Sequence, residues 1–137
     1  MTTFHRLLGA VIVAAFVTIM LGAVTLRLIG RIGTPTWLRG LQHWTENLLV
    51  VQLLGGLVLL AIGRRAGGGP VAWLHYLYGS LFPFIAVVGG RLAALRRERF
   101  AYVGLGWGAL VAFGLTLRAV QSGCGTPLAE LSTCLLR

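Results

Sequence analysis

Four long apolar runs, at roughly residues 7–26, 41–63, 71–90 and 100–120, constrain this chain more than any other feature. At a rise of about 1.5 Å per residue, a run of about twenty residues crosses a hydrocarbon layer of roughly 30 Å. Hydrophobic residues make up 57% of the chain and charged ones 11%, too little polar surface to cover a water-soluble domain. None of the runs has the polar face that a helix of a soluble bundle would show. The sequence therefore predicts an all-α integral membrane protein, an up-down-up-down bundle of four transmembrane helices. The single domain covers residues 1–137, with helices at roughly 5–29, 41–63, 71–95 and 100–121 and an extracytoplasmic tail at 122–137.

The net charge of +9 would suggest nucleic acid in a soluble protein, but all twelve basic residues are Arg and nearly all flank the apolar runs. That placement reads as anchoring and topology, with membrane lipid as the partner and no nucleic acid. The first run follows a short basic segment, as a secretory signal does. It is too long for one, and Gly22 to Arg27 offers no convincing small-x-small cleavage site, so it reads as a membrane helix.

Arg placement also orients the bundle. The two connections on one side carry Arg27, Arg31, Arg39, Arg91, Arg96, Arg97 and Arg99, and the other side carries Arg6, Arg64, Arg65, Arg118 and Arg137. The excess predicts that the first side is cytoplasmic, in a plasma (inner) membrane, with both termini extracytoplasmic. Cys124 and Cys134 then follow the last helix into an oxidising compartment, where a disulfide stapling the tail is expected.

Breakers and small residues suggest how the helices join and pack. Gly33 and Pro35 break the chain after the first helix, and Gly67, Gly68 and Gly69 make a turn after the second. Pro83 lies inside the third run and predicts a kink near Gly79 to Pro83. Gly104, Gly108 and Ala112 make one smooth face on the fourth helix, where lipid-embedded helices can approach closely. Gly55, Gly56, Gly89 and Gly90 suggest similar contacts. The glycines at 104, 106 and 108 do not have dinucleotide-loop spacing, and no strand precedes them.

Polar residues within the runs point to function, because ionisable groups in hydrocarbon need a partner or a cofactor. His5 and His75 enter the first and third helices from the same side to matched depth, whereas His43 enters the second from the other. Two neutral imidazoles on facing helices can supply both axial ligands, and so the metal ligation, of a haem b. Gly9 and Gly79 each follow their His by four residues, leaving room on the same helix face for a porphyrin, and Arg118 is placed to pair with a propionate. The alternative is a pair of boundary imidazoles bonded to headgroups, water or carbonyls.

A second cluster consists of His43, Glu46 and Asn47, with Gln52 expected to point elsewhere, nearer the face of Thr45. Glu46 calls for a cationic partner, Arg91 or Arg27, in an ion pair that fixes helix register. The functional reading is a quinone or proton site in which His43 and Glu46 bond the headgroup and exchange protons. Trp37, Trp44, Trp73 and Trp107, with Tyr76 and Tyr78, read as interfacial belt residues.

In architecture and His placement the chain resembles small membrane b-type cytochromes. It lacks the first-helix Glu of small multidrug transporters, and the nine residues between Cys124 and Cys134 differ from the C-x-x-C of quinone-coupled thiol oxidases. Two functions are expected: a haem b-binding electron-transfer module or subunit of a membrane redox complex, or a cofactor-free structural or assembly subunit contacting other membrane proteins. Neither requires independent enzymatic activity.

Overall fold

Left-handed glycines and a proline set the first helix boundary. Gly30 and Gly33 hold φ at 65° and 83°, a region open to glycine without steric cost, and Pro35 precedes the next helix in extended conformation. The computed structural model describes residues 3–64 and 73–124. Its long helices are α1 (Thr3–Leu28), α2 (Thr36–Ala61), α3 (Trp73–Arg96) and α4 (Ala101–Cys124), with a 3-10 turn at Glu98–Phe100 joining the last two. No strand occurs among the described residues.

All four helical segments are long and apolar enough to span a membrane, with mean hydropathy from 1.4 to 2.6. Helices satisfy their own backbone groups where lipid offers no hydrogen-bond partner. Their outer faces carry exposed Leu7, Val11, Leu21, Leu57, Ile85 and Leu92, as lipid-facing surfaces require. The protein is thus a membrane protein built from an apolar four-helix bundle.

Two boundaries differ from the sequence expectation by three residues or more, the others by one or two. Helix α2 starts at Thr36, directly after Pro35, and takes Gly40 into its first turns instead of beginning beyond it. Helix α4 runs on to Cys124, past the expected start of the tail. Cys134 lies outside the described residues, and so does the expected pairing of Cys124 with it.

At the expected kink α3 contains a π-helical segment, Leu77–Leu81, just before buried Pro83. Proline has no N–H to donate and its ring crowds the carbonyl four residues back, here Gly79; the wider π turn accommodates both effects. Ser80 Oγ donates to the Tyr76 carbonyl within the same segment.

The interior follows helical periodicity. His5, Ile12, Phe16, Ile19, Ala23 and Leu26 form the buried stripe of α1, and Leu38, Gln42, Thr45, Glu46 and Leu49 that of α2. Helix α4 packs closely on α1 and on α3, and α1 also packs on α2, whereas α2 and α3 touch much less. Helices α1 and α3 are therefore diagonal neighbours across the interior.

The α3–α4 seam is made by backbone. A Cβ on Gly90 would lie 2.7 Å from the Gly104 carbonyl oxygen and 2.8 Å from Gly108 Cα, closer than side chains can approach. Gly89 instead faces open space, and Gly55 and Gly56 face His5 rather than another helix backbone. At one end of the bundle, Gly33 N–H donates to the Arg99 carbonyl at 3.0 Å and Tyr102 Oη to the Arg31 carbonyl at 3.1 Å. These bonds bring the α1–α2 and α3–α4 connections to the same level, consistent with an up-down-up-down course.

Candidate functional site

At the opposite end, the diagonal arrangement brings His5 of α1 and His75 of α3 together with their ring centroids 6.5 Å apart and their planes at 55°. His75 Nδ1 lies 2.8 Å from the Ala119 carbonyl oxygen of α4. A carbonyl only accepts, so Nδ1 carries a proton in this contact, and in the neutral ring the lone pair is then on Nε2. His75 Cε1 and Nε2 lie over Gly79, each 4.0 Å from where its Cβ would be.

His5 is buried, and its ring edge lies against Gly55 and Gly56; a Cβ on Gly56 would stand 3.7 Å from Cε1. Gln52 Nε2 approaches His5 Nε2 to 3.1 Å and the His5 carbonyl oxygen to 3.2 Å. The amide nitrogen donates to both, which makes His5 Nε2 the acceptor nitrogen as well. In their neutral forms the two imidazoles therefore share one tautomer, the one whose Nε2 is suited to a metal.

The flanking glycines accommodate protein groups. A Cβ at Gly9 would lie 3.5 Å from Gln52 Nε2, and one at Gly79 would lie 3.4 Å from Ala119 Cβ. The space on each His-bearing face is taken by Gln52 and Ala119 rather than left as a slot. Arg118 is exposed, and its Nη1 donates to Gln121 Oε1 at 2.8 Å.

The second cluster divides. Glu46 turns inward, where Arg91 Nη1 of α3 binds Oε2 at 2.7 Å and Gln42 Nε2 donates to Oε1 at 3.3 Å. His43 is exposed, with Nδ1 4.0 Å from Glu46 Oε2 and Nε2 3.4 Å from Asn47 Nδ2. Arg91 is the partner of Glu46; Arg27 instead lies over the Phe100 ring, 5.7 Å from its centroid. A cavity of about 550 Å³ opens beside this group, lined among others by Thr34, Arg39, Gln42, His43 and Arg91. Gln42 Oε1 and Thr34 Oγ1 are buried there with no hydrogen-bond partner among the described residues.

Sequence reasoning paired His5 with His75 and offered Arg91 or Arg27 for Glu46, but missed Gln42, the part Gln52 plays beside His5, and the Ala119 carbonyl. Gln42 and Gln52 could have been found on the stripe that contains Thr45 and Leu49, since offsets of three, seven and ten recur on one helix face. A backbone carbonyl gives no residue signal. Among the described residues, no group of three or more His, Cys, Asp or Glu could hold a metal ion by itself. The chain matches no protein-family model, no curated protein and no solved structure in the comparisons made.

Proposed function

We propose that this protein is an electron-transfer module of a membrane redox system in which His5 and His75 hold one haem b. The observation that carries this reading is the pair of imidazoles on diagonal helices, 6.5 Å apart between ring centroids. Imidazole nitrogens roughly 2 Å from a shared metal would set two ring centroids about 6 Å apart, close to the observed separation, so His5 and His75 would be the residues to hold the iron. Bound haem supplies one-electron transfer, at a potential governed by its axial ligands and their hydrogen bonds.

The chain's own groups have distinct parts. The Ala119 carbonyl orients His75 and increases the basicity of its Nε2. Gln52 holds His5 in the same tautomer and must withdraw from Nε2 when a metal takes that position. At the other end, the cavity beside His43 suits a quinone headgroup. Its reduced form carries hydroxyls that can donate to Gln42 Oε1 and Thr34 Oγ1. The Arg distribution supports placing that end in the cytoplasm of an inner membrane, with both termini outside.

A second reading, a cofactor-free assembly subunit, is favoured by the Gln52–His5 bond, which satisfies the imidazole without a metal. Haem stoichiometry distinguishes the two. Protein expressed with haem supplied and purified in mild detergent should yield one haem b per chain by the pyridine haemochrome assay; a folded preparation with none supports the assembly reading.

A further inference from the structure

A second cavity, separate from both His sites, lies along the outer side of the α3–α4 seam. It is a groove of about 1060 Å³, lined among others by Arg27, Arg96, Arg97, Phe100, Gly89 and Trp107. Its charge is concentrated at one end. Arg27, Arg96 and Arg97 line that end, and among the described residues none of the three has a carboxylate within ion-pair distance; Arg27 rests on Phe100. From that end the groove continues over apolar surface to Trp107 and Val111. The eleven residues of α4 from Ala101 to Val111 rise about 16 Å, close to half of a hydrocarbon layer of roughly 30 Å. Glycine makes the groove: Gly89 has nothing within 4 Å of where a Cβ would stand.

We infer that this groove binds an anionic phospholipid, with its phosphate among Arg27, Arg96 and Arg97 and an acyl chain against Gly89 and Trp107. Charge complementarity selects the headgroup, because guanidinium donors in a fork suit phosphate oxygens. Length and apolar lining select a chain of one leaflet. The inference is independent of haem binding.

Native mass spectrometry of the protein ejected from nanodiscs containing equal phosphatidylglycerol and phosphatidylcholine tests it. The retained lipid should be phosphatidylglycerol by at least about ten-fold, a difference of about 1.4 kcal/mol in binding. The double variant Arg96→Gln/Arg97→Gln should abolish that enrichment. Gly89→Leu keeps every charge but projects its side chain into the groove, and should reduce retained phosphatidylglycerol to a similar degree while the helical circular dichroism stays unchanged. Soluble glycerol phosphate should not displace the lipid. Equal retention of both lipids, full retention in either variant, or displacement by glycerol phosphate would overturn the inference. The exposed Arg pair keeps the test decisive if Gly89→Leu fails to fold.

Discussion

Arg91 of α3 binds Glu46 of α2 through a 2.7 Å contact between Nη1 and Oε2, and this ion pair ties together the two adjacent helices that otherwise touch least. Glu46 is nearly buried while Arg91 stays more than half exposed, so the carboxylate depends on the pair more than the guanidinium does. Arg91→Ala should destabilise the bundle by about 1–3 kcal/mol, the range for a lost hydrogen bond to a charged group. Glu46→Gln should cost less, because Gln42 can still bond the amide. Denaturant-titrated unfolding in detergent should give a double variant less destabilised than the sum of its parts.

Adjacent glycines should respond oppositely. At Gly90 a methyl group would press on the backbone of Gly104 and Gly108, which cannot move aside without parting α3 from α4. Gly90→Ala should lower stability by about 1–3 kcal/mol, as overpacking of a tight core does. Gly89→Ala meets nothing and should be neutral or slightly stabilising. Thermal unfolding of the two variants in the same detergent checks this.

Tyr102 is fully buried, and its hydroxyl donates to the Arg31 carbonyl at 3.1 Å. Tyr102→Phe removes that bond and keeps the ring, so a loss of about 0.5–1.5 kcal/mol is expected. Tyr102→Ala also opens a cavity and should cost about 3–5 kcal/mol. Hydrogen exchange should show faster opening at Gly33, whose N–H bonds the Arg99 carbonyl at the same end of the bundle.

The architecture was legible because apolar length is a property of single segments. The pairing of His5 with His75, and of Glu46 with either Arg91 or Arg27, was legible because antiparallel helices convert residue position into depth. Azimuth and backbone were not. Depth could not tell that Gln52 reaches His5, that the Ala119 carbonyl holds His75, or that Gln42 shares Glu46. Nor could counting reveal that a π turn, rather than a simple kink, carries α3 past Pro83, since that depends on how Tyr76 to Leu81 rearrange against their neighbours. Gly9 and Gly79 were expected to leave room for a porphyrin, whereas the groups beside them come from α2 and α4, which counting along one helix does not show.

The central claim, that His5 and His75 hold one haem b, is tested most directly by the reduced-minus-oxidised visible spectrum of the purified protein expressed with haem supplied. The account predicts the sharp bands of a six-coordinate, low-spin haem in the parent protein, lost in His5→Ala and in His75→Ala alike and retained in Gln52→Leu. A colourless parent protein with intact helical circular dichroism, or a haem spectrum unchanged by both histidine substitutions, would contradict it.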